Sequence, residues 1–183
     1  MKKAKKAASF RGISILLAMV MLISTLCMCL TSALASSSVV QNNLIPNASF
    51  ERSEEPSKKL NAWSTLGAGF SIAGNNAVEG KNVLVHNGEA KETVTSDAFS
   101  VEPNEEYILL ANMKCSTSSD KASIAVKDEK GNILGEMNAD DTGKWNEYST
   151  RFNTDEEVSS IVVELSAKGE AHFDGIEVCK TFT

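Results

Sequence analysis

Apolar and polar residues alternate along most of the second half of the chain. The alternation is clear at Val83/Val85, Phe99/Val101, Tyr107/Leu109/Ala111/Met113, Ile124/Val126, Tyr148/Thr150/Phe152 and Ile161/Val163/Leu165. A period of two belongs to strands with one face buried. Turn signals separate the runs: Asn75-Asn76, Asn87-Gly88, Pro103-Asn104, Lys130-Gly131-Asn132 and Lys168-Gly169. No window of a dozen residues keeps a helical stripe. Short strands with turns at intervals of roughly ten residues predict an all-β, antiparallel β-sandwich. There is no internal repeat and no sign of a second domain.

The last strand breaks this rhythm. In "AHFDGIEVCK", Ile176 and Val178 share one parity and Phe173 has the other. A bulge at Asp174-Gly175 would turn all three inward, and glycine is a usual bulge residue. The bulge re-aims a carboxylate beside a core phenylalanine. A second such pair, Phe50-Glu51, follows a proline turn in "NLIPNASFE" near the start of the fold. A buried charge without a partner costs several kcal/mol. Two acids at one sheet margin would repel each other unless a cation sat between them. Hard oxygen ligands suit calcium, with backbone carbonyls completing the shell at roughly 2.3–2.6 Å. Two separate solvated acids are the plainer reading.

The first 35 residues carry a different pattern. Lys2, Lys3, Lys5, Lys6 and Arg11 precede an apolar run from Ile13 to Leu30, and Ala33-Leu34-Ala35 follows. This is the order of a secretory signal peptide cut after Ala35, with a secreted or cell-surface product. The apolar run could also just span a bilayer as an uncleaved anchor; the alanine pair favours cleavage. Residues 36–43 read as a short polar leader, and residues 44–180 as the sandwich.

Cleavage changes the electrostatics. The remaining 148 residues keep 13 lysines and arginines against 24 acids, a formal −11 in place of −6. Such a chain repels nucleic acid and anionic lipid, and no stable membrane insertion is expected once the signal is gone. Divalent cations and neutral polymers remain open as partners. Only Cys115 and Cys179 lie beyond the cleavage point, too few for a disulfide framework or a C-x-x-C metal site.

Six segments, "NLIPNASFE", "GKNVLV", "EEYILLANMK", "DEKGNIL", "TGKWNEYSTRF" and "AHFDGIEV", occur in an order that resembles one known group. They are similar to the jelly-roll carbohydrate-binding modules of families four, nine and twenty-two, from about Asn43 to Cys179. The resemblance implies a galactose-binding-like jelly roll attached to or accompanying glycan hydrolases, with polysaccharide or oligosaccharide as partner. It also implies a structural calcium at the sandwich edge. The ligands would be the Glu51 and Asp174 side chains, with carbonyls near Ser49 and in the loop holding Lys81. On this reading Glu51 meets Asp174 through the metal.

Sugar rings stack on flat aromatic faces while planar polar groups reach hydroxyls. Parity sends Phe50, Phe99, Tyr107, Tyr148, Phe152 and Phe173 into the core and Phe182 lies in the tail, which leaves Trp63, Phe70 and Trp145. Trp145 and Trp63 both match family tryptophans; Trp145 is read as structural, Trp63 stays as a candidate platform, and Phe70, in a Gly-rich stretch, is either a rim platform or core. His86, Asn112, Glu147, Arg151 and Glu164, with Lys114 and Lys127, would form a polar groove floor. An ordinary solvated sheet face explains each of these residues equally well. Catalysis has little support, because neither His86 nor His172 lies in a nucleophile motif and no pair of acids stands out. The expectation is an exported, non-catalytic carbohydrate-binding module. The alternatives are an adhesion sandwich without a sugar groove and, last, a glycan hydrolase component.

Overall fold

The computed structural model describes residues 42–54, 59–139 and 143–181. The expected signal peptide and most of the leader lie outside these residues. No described helix is long and apolar enough to cross a membrane.

The described residues form ten strands. β1 (Ser53–Glu54) and β2 (Lys59–Leu60) make a small antiparallel pair. β3 (Phe70–Ala73), β4 (Val83–Thr95), β5 (Phe99–Ser100) and β6 (Glu106–Cys115) follow. β7 (Lys121–Asp128), β8 (Ile133–Asn138), β9 (Asn146–Asn153) and β10 (Ser160–Lys180) complete the chain. The fold is all-β and antiparallel, as the alternation predicts.

Strand β10 is 21 residues long and organises the rest. Along one edge it pairs with β7 over Ile161–Lys168 and then with β6 over Ala171–Lys180. Along the other edge β4 runs beside it from Thr95 to Leu84. Both long strands change register between Ala167 and Gly169. There Gly169 takes a φ of +81°, and a Cβ on it would lie 2.0 Å from Asp120 Oδ1. Only glycine fits such a corner.

The first halves and second halves of these strands therefore belong to different layers. One layer has the order β3-β4-β10-β6-β9, and the other joins β4 and β10 to β7 and β8. The layers close on each other where β8 meets β9: a Cβ on Gly135 would lie 3.2 Å from Phe152 Cβ. Between them sits one core containing Leu109, Met113, Ile124, Val163, Leu165 and Phe173. Tyr107 and Phe152 stack within it at 5.6 Å. Truncating a fully buried phenylalanine such as Phe173 costs about 3–5 kcal/mol.

Residues 43–48 are also built into the fold. Leu44 donates its amide to Val178 O at 2.9 Å, and Ile176 donates to Ala48 O at 3.2 Å. The Asn43 side chain accepts from Val178 N and donates to Ile176 O. Asn43, counted above with the polar leader, thus belongs to the sandwich. These residues occupy the β10 edge that β4 leaves free beyond Phe173. The chain's first described segment is bonded to its last strand.

The bulge in β10 falls where the sequence places it. Register shifts between Asp174 and Glu177, Gly175 has a φ of +54°, and Phe173, Ile176 and Val178 are all fully buried. The reading of β4 needs correction. Leu84 and His86 turn inward with Val83 also buried, whereas Val85 is half-buried. Phe99 and Tyr148 pack on the core from its margin.

Cys115 pairs with Ala171 and Cys179 with Ile108, on opposite ends of the β6–β10 ladder. Eight residues of strand separate them, roughly 25 Å at about 3.3 Å per residue, far beyond disulfide reach. Both thiols are free and buried, and burial raises both above the ordinary thiol pKa. Alkylation without reductant should spare both in the native protein and label both in denaturant. A mass two units short, with neither labelled after unfolding, would show a disulfide and contradict this pairing.

Candidate functional site

Three places hold the residues singled out above. The first is the loop between β3 and β4. Asp174, fully buried at the β10 bulge, accepts amides from Val78 at 2.6 Å, Glu79 at 2.8 Å and Gly175 at 2.8 Å. Glu51 accepts the amides of Lys81 at 2.7 Å and Asn82 at 2.6 Å, both on Oε1. A loop of exposed backbone is thereby pinned at two points by two carboxylates. Its near end is pinned as well, because Trp145 Nε1 donates to Asn76 O at 3.0 Å. Trp145 also packs its ring edge-on against His172, in keeping with a structural role.

The two carboxylates differ electrostatically. The amides of Asn82 and Lys81 hold Glu51 below the usual carboxylate range. Burial pushes Asp174 up against three amides that pull it down, and the Glu51 charge adds to the rise. Glu51 is itself exposed, and the two amides outweigh the desolvation that it meets. Its immediate partner is the loop backbone. Lys81 contributes its amide to that contact. No three His, Cys, Asp or Glu side chains converge as a metal cluster among the described residues.

Aromatic and histidine candidates for the groove turn out to be core. Trp63 is 2% exposed, lies 5.4 Å from the Phe50 ring and donates Nε1 to Asn47 O. Asn47 is the hub that sequence reasoning missed: with a φ of 53° it bonds Arg52 and Asn61 as well as Trp63. Phe70 is fully buried and pairs edge-on with His86. His86 is buried too, its Nδ1 donating to Gly169 O at 2.7 Å. A Cβ on Gly69 would lie 2.6 Å from His86 Nε2, so the Gly-rich stretch before Phe70 exists to admit this packing. None of the three offers a face to a sugar.

The polar candidates divide between two surfaces. Asn112 pairs with Glu147, and Arg151 with Ile108, on the outer face of the β6–β9 layer. Arg151 there holds Glu106 at 2.5 Å, and Asn112 lies by Gly175 under the pinned loop. Glu164 stands on the outer face of the other layer, paired with Lys127 at 2.8 Å. A single groove built from all of them does not exist. The bend at Gly169 separates them.

That second outer face carries the hollow of interest, about 270 Å³ in volume. Its floor is Ser123 and Ser166, neighbours in register across β7 and β10. Glu136 and Asn138 of β8 form one wall. Lys91, Lys121 and Lys168 rise around the other sides. Ser166 is 6% exposed and its Oγ has no hydrogen-bond partner among the described residues. A buried hydroxyl left unpaired costs about 1–3 kcal/mol. Small residues at the centre of a sheet face make the hollow, and only three-dimensional register brings them together.

Comparison with known proteins places this geometry. The model of the carbohydrate binding domain family CBM_4_9 matches residues 42–171. Among solved structures, a family 61 carbohydrate-binding module in complex with β-1,4-galactotriose superposes at a TM-score of 0.59. It is 17% identical and covers 76% of this chain and 99% of its own. A second family 16 module gives 0.56 at 20% identity, over 74% of this chain and 99% of its own. The CBM22-1 xylan-binding domain of Xyn10C from Paenibacillus barcinonensis gives 0.52 at 18% identity, covering 78% and 97%. At these identities the likeness is one of fold. No curated protein matches the chain.

The pinned loop makes a direct prediction. Asp174→Ala leaves three amides without their acceptor and should cost about 2–4 kcal/mol in urea unfolding. Glu51→Ala, at an exposed site, should cost clearly less. An Asp174→Ala protein as stable as the parent would mean that this carboxylate does not anchor the loop.

Proposed function

Because the chain belongs to the carbohydrate binding domain family, we propose that it is an exported, non-catalytic module that holds glycan in the β7–β8–β10 hollow. The observation that carries the reading is the hollow itself: a polar depression on a rigid sheet face, with an unpaired buried hydroxyl at its floor. Its volume lies near the lower end of the roughly 300–1,000 Å³ usual for small-molecule sites. That suits a short stretch of sugar. No aromatic side chain lines it among the described residues. Recognition there rests on hydroxyl hydrogen bonds to Ser123, Ser166, Asn138 and Glu136. The cationic, apolar and A-x-A order of the first 35 residues supports export, with the module working outside the cell or on its surface. The acidic charge of the remaining chain argues against nucleic acid as a partner.

Calcium at Glu51 and Asp174 belongs to the same reading. The donor chemistry fits: both side chains are hard oxygen ligands, they bond the same loop, and the Glu51 charge disfavours that of Asp174. Backbone carbonyls, such as those of Ser49 and the Lys81 loop, would have to supply most of the shell. A bound cation would supply charge neutralisation at Asp174 and nothing catalytic. The chain's own part is already plain, since Glu51 and Asp174 fix loop 78–82 over the β10 bulge.

Two measurements test this reading. In affinity electrophoresis against xylan, β-glucan, galactan and polygalacturonate, at least one polymer should retard the protein. Ser166→Tyr, which fills the floor, should abolish the retardation, while Arg151→Ala on the other layer leaves it unchanged. Free mobility in every gel would favour a sandwich without sugar binding. For the metal, chelator should lower the melting temperature by several degrees, since 1 kcal/mol moves a domain of this size roughly 2–8 °C. Calcium should restore it and magnesium should do so poorly. Glu51→Gln and Asp174→Asn should each remove the response. A melting curve indifferent to chelator, on metal-stripped protein, takes the calcium site away.

A further inference from the structure

We infer that the hollow selects acidic glycans, chains bearing carboxylate or sulfate groups, over neutral ones; this rests on the hollow being the sugar site. The argument begins with where the lysines are. Beyond the expected cleavage point the chain has nearly twice as many acids as bases, yet three lysines converge on this one depression. They come from three strands. Lys91 is on β4, Lys121 opens β7, and Lys168 precedes the Gly169 corner of β10. Lys168 and Lys121 are direct partners in the ladder. Two like charges placed opposite one another destabilise a sheet. Such a pair is retained at a cost that an anion between them would cancel.

The nearby acids decide how much positive charge is left. Glu136 is the one carboxylate lining the hollow among the described residues. Lys121 donates Nζ to Ser118 O at 3.2 Å and lies close enough to Asp120 to favour its ionised form. Glu164, one row away, is already matched by Lys127. Lys91 and Lys168 form no ion pair among the described residues, and both are exposed at the rim. The surplus is theirs. Cations that already have a carboxylate add little to ligand binding; these two have none among the described residues.

The overall negative charge does not cancel this. At physiological ionic strength the screening length is about 8 Å, so charges on the far layer contribute little within the hollow. At very low salt the whole-chain repulsion would reach further, but it acts on every polyanion and does not separate one site from another. Ser123, Asn138 and Glu136 line the hollow with polar groups that can meet sugar hydroxyls. Lysine is a flexible point charge that follows a carboxylate on a ring without demanding one orientation. The combination reads a charged sugar by its acid group at the rim and its hydroxyls at the floor.

The test is affinity electrophoresis of the full chain in gels carrying polygalacturonate, its fully methyl-esterified form, or neutral xylan, without added calcium. Polygalacturonate should bind about fivefold or more tightly than its ester, which is what two exposed ion pairs contribute together. The preference should shrink as salt rises from about 0.1 to 1 M, across which the screening length falls from about 10 to 3 Å and the far-layer charges are already screened. The Lys91→Gln/Lys168→Gln double variant should lose the preference with a melting temperature no lower than the parent's. Equal retardation by the acid and the ester would overturn acid selectivity while leaving sugar binding in place. A preference that survives in the double variant would overturn the assignment to these lysines. No retardation by any polymer would remove the sugar site itself.

Discussion

The continuity of strand β10 is the constraint on which the rest of the molecule depends. It hydrogen-bonds to β4, β5, β6 and β7 and, beyond Phe173, to residues 43–48. A strand that serves both layers must bend between them, and it must do so without losing its ladder. The bend falls at Gly169, opposite Gly88 of β4, where two residues without side chains can turn together. The second irregularity, at Asp174-Gly175, restores the inward parity of the apolar residues that follow. Each break in pairing is thus matched to a local backbone need.

The same two irregularities position the candidate sites. The Gly169 corner divides the outer surface into two faces, so residues that share a strand parity in the sequence need not share a site. The Asp174 bulge aims a carboxylate outward, under the β3–β4 loop, and so covers part of the β6–β10 face. Trp145 and Glu51 hold the same loop from its two ends. The layer with the pinned loop is thereby closed in its middle. The other layer keeps small residues at its centre, and that is the face left hollow.

Most of the architecture was legible in the sequence, because sheets write their burial with a period of two. Tyr107, Leu109, Ala111 and Met113 turn inward as read, and so do Ile161, Val163 and Leu165. The bulge was legible because Phe173, Ile176 and Val178 cannot otherwise share a face. β4 was misread because Val83, Leu84, Val85 and His86 are all compatible with a core, and only the partners of His86 decide. Trp63 and Phe70 were misplaced for a related reason. Their environments come from Asn47 and Gly69, whose roles depend on backbone conformation and close approach. The hollow was illegible altogether. Serines and alanines carry no signal of their own, and four strands must be in register before they make a depression.

A site without aromatic platforms changes what binding can be. Stacking on a ring contributes apolar contact to any sugar with an exposed carbon face, and so favours breadth. A floor of hydroxyls and a rim of charges gains less from each contact, since every polar group must first shed water. Such a site is correspondingly selective, because a ligand that fails to pair a desolvated group is penalised by more than a good contact is worth. In an acidic chain, lysines gathered at one depression discriminate twice: they attract a matching acid group, and the surrounding negative surface discourages polyanions from settling elsewhere. On the reading proposed above, the module would trade affinity for discrimination, and its selectivity would reside in the charge pattern around the hollow.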